Sequence, residues 1–293
     1  MTNKSGTFQT PRKPSRAQRA ASREKCSPVV RGLLIFFAAL FIVSSVGLAV
    51  CLVQMGKARS DFRKLSELVQ QNTPVTTLPA ETAAPDILES PEAPSPETQP
   101  AEPVMFAKYA PLYEQNPDLF GWLRINGTVI DYPVMHTPAD PEKYLHANFD
   151  GEYNFSGIPF VDGAYSADSD NLLIYGHNML DGSMFRSLTK YRDESYWRSH
   201  PVISFDTLYE EGEYEVLAAF YDRVYYTDET CFKFYQFIDA EDQADFDNAI
   251  ANFREKALYD TGVTAAYGDK LITLVTCAYH VEDGRFVVVA RKK

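Results

Sequence analysis

Residues 271–291 read L-I-T-L-V-T-C-A-Y-H-V-E-D-G-R-F-V-V-V-A-R. Two apolar, β-branched runs, 271–277 and 285–291, flank a short polar loop that ends in Asp-Gly. Such runs on either side of a turn signal predict two strands, and sequential strands joined by a short loop pair antiparallel. That pairing puts Arg285, first in the return strand, beside Cys277, last in the outgoing one. A guanidinium near a sulfur favours the thiolate and offers planar donors to a developing oxyanion. The other role open to Arg285 is a rim salt bridge with Glu282 or Asp283.

Working outward, residues 128–135, 171–175, 202–205 and 214–221 are further short β-branched or aromatic runs bounded by Gly, Asp, Asn or Pro. Two stretches are helical instead. Residues 107–115 precede the first of these strands, and 241–258 carries Phe246, Ile250, Phe253 and Ala257 at helical spacing before Gly262. The 190 residues from 104 to 293 suffice for one domain. The pattern predicts a mostly β fold, largely antiparallel, closed into a barrel, with helices attached.

The N-terminal part is of a different kind. Residues 1–31 hold eight Lys or Arg and one acid, and residues 32–53 hold no charge. Those 22 uncharged residues span about 33 Å as a helix, against a hydrocarbon core of about 30 Å. They are too long for the apolar region of a signal peptide, and Gln54-Met55-Gly56-Lys57 makes a poor cleavage site. The reading is a basic cytoplasmic tail (1–31) and a single transmembrane anchor (32–53), with the body extracellular by the Lys/Arg bias. Residues 54–71 can continue as a helix with Phe62, Leu65 and Val69 on one face. Residues 72–103 contain eight Pro, six acids and no Lys or Arg. Such a segment reads as an extended stalk, so 54–103 is taken as a juxtamembrane segment and stalk, and 1–103 as dispensable for chemistry on peptides in solution. From 54 onward the net charge is −19, which argues against nucleic acid as a partner.

Of four cysteines, Cys26 and Cys51 belong to the tail and anchor, leaving Cys231 and Cys277 in the body. Outside the cell two cysteines read most simply as a disulfide. Arg285 beside Cys277 points instead to a nucleophile, with Cys231 unpaired. A thiol with pKa near 8.5 is only about 3% thiolate at pH 7, so it needs a proton-transfer partner, usually His. His177, in Y-G-H-N-M after the apolar run 171–175, sits at a strand end where side chains converge. His280 falls in the loop after Cys277, and His136, His146 and His200 look like surface residues. Asp170, Asn178 and Glu282 are candidates for tuning His177.

Other chemistries fit less well. Ser187-x-x-Lys190 and Ser169-Asp170-Asn171 match motifs of penicillin-binding acyltransferases, but in reversed order and with no Lys-Thr-Gly after them. Cys277, His280 and His177 have zinc-like spacing without an evident fourth ligand. A non-catalytic wall-binding module, using the 13% aromatic content for glycan stacking, and a cysteine protease that releases its product to water both stay open.

T-L-V-T-C at 273–277, an Arg eight positions on, and Y-G-H-N-M around His177 together resemble the sortases of Gram-positive bacteria. N-P-D-L-F-G-W-L at 116–123, I-D-Y-P-V at 130–134, G-R-F-V-V-V-A-R at 284–291 and the helix-bearing insertion at 239–262 look like the class B branch. The resemblance covers about 105–293 and the anchor. It implies a closed β-barrel of about eight strands with N-terminal helices and a helix inserted before the last two strands, and 104–293 as the catalytic domain. It implies a cysteine transpeptidase that cleaves a C-terminal sorting signal of a secreted protein through a thioacyl-enzyme. The acyl group then passes to an amine of a lipid-linked peptidoglycan precursor. It implies Cys277 as nucleophile, His177 as acid and base, and Arg285 with the backbone N–H of Ala278 at the oxyanion. Thr276 and Leu274 would contact substrate. No cofactor and no metal are expected.

Overall fold

The computed structural model describes residues 27–73 and 103–293. Most of the basic tail, with Cys26, and most of the Pro-rich segment lie outside the described residues. The chain divides into two units, one ending at Val53 and the other Gln54–Lys293.

In the first unit, helix α1 (Pro28–Gln71) begins with a stretch long and apolar enough to cross a membrane, with mean hydropathy 2.7 and none of it buried in protein. In the second unit, the remainder of α1 belongs to the body of the protein. Ala58, Phe62, Leu65 and Val69, three or four residues apart, form one buried stripe. Phe62 meets the ring of Tyr132 edge-on at 5.0 Å, and Ser66 Oγ donates to Asp131 Oδ2 at 2.7 Å. The helix foreseen over 54–71 is therefore present, and it packs on the domain.

After α2 (Ala110–Gln115) come β1 (Leu119–Arg124), β2 (Asp131–His136), β3 (Phe160–Val161) and β4 (Asn171–Tyr175). Then follow α3 (Glu194–Ser199), β5 (Val202–Thr207), β6 (Glu213–Arg223), α4 (Gln243–Lys256), β7 (Leu271–Cys277) and β8 (Gly284–Lys292). The eight strands close a barrel in the order β1-β2-β3-β4-β7-β8-β6-β5, with β5 pairing back onto β1. Closure leaves no unpaired sheet edge. Trp122, Phe205, Phe220 and Phe286 are buried, and so are Val287, Val288 and Val289 of β8, whose side chains alternate between the two faces of the barrel wall. Helix α4 starts at Asp242, whose side chain accepts from Asp245 N–H, and lays Phe253 against Phe220 with ring centroids 6.1 Å apart. It is the helix expected before the last two strands.

The six strands foreseen are all present, with ends displaced by a few residues. β1 and β3 were not foreseen. β1 carries Gly121 in its middle, where the register with β2 shifts and where a Cβ would run into the carbonyl oxygen of Asp206. β3 is two residues long and exists only because β2 and β4 flank it.

Two pairings are parallel, β2 with β3 and β4 with β7. The second positions the site. Its register sets Tyr175 opposite Val275, and Gly176 N–H then donates to the Val275 carbonyl at 3.0 Å. Two residues further along each chain than this pair stand His177 and Cys277, which line one cavity. A Cβ at Gly176 would collide with the Phe185 ring, so the exit from β4 needs glycine.

Candidate active site

Cys277 ends β7, half-buried, with its Cα paired in register to that of Arg285 in β8. The pairing anticipated from the hairpin pattern is the one observed. The thiol is free, and so is that of Cys231, which is exposed. A Cys231–Cys277 disulfide is therefore absent.

Arg285 makes no ion pair among the described residues. Its Nη1 donates to two main-chain carbonyls of its own turn, Asp283 at 3.1 Å and Gly284 at 3.0 Å. The rim salt bridge to Glu282 or Asp283 is not formed. The turn is tight: Asp283 takes φ +53, and Ala278 N–H donates to the Gly284 carbonyl at 2.9 Å. That bond occupies the Ala278 N–H, so in this arrangement the group is not free to meet an oxyanion. Arg285 is the cation paired in register across the hairpin from Cys277.

His177 is half-buried. Its Nε2 lies 2.9 Å from the carbonyl oxygen of Leu145. A carbonyl only accepts, so Nε2 carries a proton and Nδ1 is the atom left to gain or lose one. Burial holds the imidazole below its ordinary pKa; the Leu145 hydrogen bond opposes that shift, and the neighbouring His146 adds to it. At neutral pH the ring is a neutral base, and the imidazolium is its minor form.

Cys277, His177 and Arg285 line one cavity of about 330 Å³. Tyr175 and Thr276 lie in the same wall, Phe160 and Tyr235 supply apolar surface, and Glu142 and Asp162 stand on it as carboxylates. Burial pushes the Tyr175 phenol far above its usual range, so it stays protonated. The cavity suits an extended peptide, with apolar walls and a few converging polar groups. A larger cavity, about 590 Å³, lies between α1 and residues 181–184 and contains none of the three reactive side chains.

The two residues expected to contact substrate separate. Thr276 lines the cavity, and its Oγ1 donates to the Gly176 carbonyl at 2.7 Å, tying β7 to the exit of β4. Leu274 is fully buried and is not among the cavity residues; it lies on the same strand face as Thr276 but two residues deeper from the strand end that carries the thiol. His280 packs on Tyr221 at 4.8 Å and is not among the cavity residues, so the zinc-like trio does not converge. Ser187 and Lys190 also lie outside the cavity.

The sequence leaves open which residue tunes His177, and neither Asp170 nor Asn178 hydrogen-bonds to its ring. Asp170 pairs with Lys270 at the far end of β7. Asn178 is buried and bridges other groups: its Nδ2 donates to the Cys277 carbonyl at 2.7 Å and its Oδ1 accepts from Arg186 Nη1 at 3.0 Å. It fastens the loop after His177 to the strand end that carries the thiol. The groups that touch the His177 ring are the Leu145 carbonyl and the ring of His146, which is exposed at the surface, as the sequence suggested. Nothing in the local pattern at 143–146 marks that contact, since it depends on a fold across 31 residues.

Residues 123–293 match the family model of the sortase domain. Among curated relatives, Sortase B of Listeria monocytogenes is 34% identical over 183 residues, covering 60% of this chain and 70% of the relative. Sortase B of Staphylococcus aureus is 28% identical over 188 residues, covering 63% of this chain and 74% of the relative. The crystal structure of sortase B from B. anthracis superposes with a TM-score of 0.63 at 26% identity, covering 82% of this chain and 98% of that one. With these matches added to the eight-strand barrel and its pre-terminal helix, the chain belongs to the sortase family of cysteine transpeptidases, in its class B branch.

Proposed function

We propose that this protein is a membrane-anchored transpeptidase in which Cys277 attacks a backbone carbonyl of a C-terminal sorting signal on a secreted protein. The Cys277 thiol proton passes to His177 Nδ1, the resulting thiolate adds to the carbonyl carbon, and the oxyanion is met by the Arg285 guanidinium. The C–N bond then breaks, and the departing amine takes a proton from His177 Nδ1. A thioester to Cys277 remains. An amine of a lipid-linked peptidoglycan precursor gives a proton to Nδ1 and attacks the thioester, and the new amide leaves as the thiolate is restored. Residues 32–53 anchor the chain with residues 1–31 inside the cell and the catalytic domain outside.

The observation that supports this reading is the convergence on one cavity of a free thiol, an imidazole with a free Nδ1 and a guanidinium without a carboxylate partner. The test is intact-mass spectrometry of the full chain incubated with a library of sorting-signal peptides and no amine acceptor. The expected result is an acyl adduct on Cys277 that an added amine discharges. Failure of every peptide to label Cys277, or equal labelling of Cys277→Ala, would refute it.

A further inference from the structure

The single-turn 3-10 helix Lys143–His146 gives two consecutive residues to the catalytic imidazole. Leu145 supplies the carbonyl that holds Nε2. His146 supplies its ring, stacked on that of His177 with centroids 5.4 Å apart and planes 22° from parallel. One hydrogen bond leaves a ring free to swivel about it; a second ring laid along its face removes that freedom. The turn is itself held fast. Tyr144 hydroxyl donates to Asp118 Oδ2 at 2.8 Å and accepts from Asn116 Nδ2 at 2.7 Å, and the His146 carbonyl accepts from Asn154 N–H at 2.9 Å. Gly157, at φ +56, presses against the carbonyls of Leu145 and Tyr144, where any Cβ would collide. Phe155 also stacks on His146, at 6.4 Å and 17°.

We propose that His146 is a positioning residue for His177: its ring fixes the plane of the catalytic imidazole and makes a proton on that imidazole harder to hold. The proposal rests on the reading of His177 as the acid–base group. The neighbouring charges are otherwise engaged. Lys143 on the same turn pairs with Asp118, Glu152 on the next loop with Lys57, and Asp181 beyond His177 with Arg59. Cys277, Arg285, Glu142 and Asp162 share the cavity with His177, and among the described residues no carboxylate hydrogen-bonds to either ring. Two cationic imidazoles this close repel by an amount worth about one pH unit in titration midpoint, which is enough to couple their protonation.

The test uses the full chain in phospholipid nanodiscs with its histidines carbon-13 labelled at Cε1, followed by NMR from about pH 5 to pH 8. His177→Gln identifies the His177 signal. In the wild type the His177 signal should move in two steps. In His146→Phe, which keeps a stacked ring and removes the second proton site, it should move in one step with a midpoint higher by about 0.5–1 unit. The ratio of kcat/KM at pH 6 to that at pH 8 should rise about threefold in the same variant. His146→Gln serves as a second variant and should also abolish the two-step curve. Single-step curves agreeing within about 0.2 unit in wild type and both variants would overturn the proposal. The underlying reading fails separately: an active His177→Ala enzyme would sink the acid–base role even if the NMR coupling were present.

Discussion

The free nitrogen of His177 and the sulfur of Cys277 face a shared cavity because neither is committed elsewhere, and this sets what each substitution should cost. His177→Ala removes the one imidazole that, among the described residues, lines that cavity, and Arg285→Ala removes the guanidinium that lines it with the thiol. Each should lower kcat/KM for transpeptidation by at least about 10²-fold with the fold intact by circular dichroism. Near-normal turnover in either variant would remove that residue from the mechanism. Burial also gives His177 and His136 folded-state pKa values below the ordinary histidine value. The unfolded chain therefore binds more protons than the native one in that range. The sign follows: stability is undiminished above about pH 6.5 and is lost as pH falls toward the depressed values. Carboxylates held low, such as Asp118 with Lys143 and Asp181 with Arg59, add their loss only near pH 4 and below. Calorimetry should show Tm falling between pH 7 and pH 5, and falling less in a His177→Gln, His136→Gln double variant; an equal fall in both would contradict the assignment.

At the scale of elements, the decisive contact is between α1 and the loop after His177. Arg59 Nη2 donates to both the main-chain carbonyl of Asp181, at 2.6 Å, and its Oδ2, at 3.0 Å. Asp181 Oδ1 in turn accepts from Ser183, and Met184, at φ +52, donates its N–H to the Tyr132 hydroxyl. The same loop begins with His177 and Asn178. A fragment starting at 104 would lose Phe62, Leu65 and Val69 from the core, so the dispensable segment is shorter than the composition suggested. Phe62→Ala should cost about 3 kcal/mol of stability. Fragment 54–293 should outlast fragment 104–293 in thermal unfolding and exceed it in kcat/KM. Equal behaviour of the two fragments would show that this helix adds nothing to the domain. β4 and β7 matter for a related reason: a parallel pair needs a long crossover, and this one spans about 100 residues, with α4 packed against the barrel within it.

For the whole molecule, the eight Lys/Arg of residues 1–31, against four in the first residues after the apolar span, predict an N-terminus inside the cell and a barrel outside it. Protease added to intact protoplasts should digest the barrel and spare an N-terminal epitope tag. Digestion of the tag with sparing of the barrel would reverse the orientation. How much of this architecture was legible in the chain depends on the range of the interactions involved. The Cys277–Arg285 pair was readable because two strand-like runs of equal length, 271–277 and 285–291, flank one short polar loop, and α4 because Phe246, Ile250 and Phe253 repeat at helical period. The apolar span was readable because length and the lack of charge suffice. β1 escaped notice because Gly121 interrupts its pattern, and β3 because two residues form a strand only when flanked by partners. The meeting of His177 with Cys277 was suggested by motif resemblance, but its cause is the parallel β4–β7 register, which joins residues 100 apart in sequence. The seat of His177 on Leu145 and His146, the loss of Leu274 to the core and the Ala278 N–H closing its own turn were likewise settled only by tertiary structure. Local pattern records which residues prefer strand, helix or membrane; which side chains finally touch is set by packing among distant segments, whose free energy belongs to no single stretch of the chain.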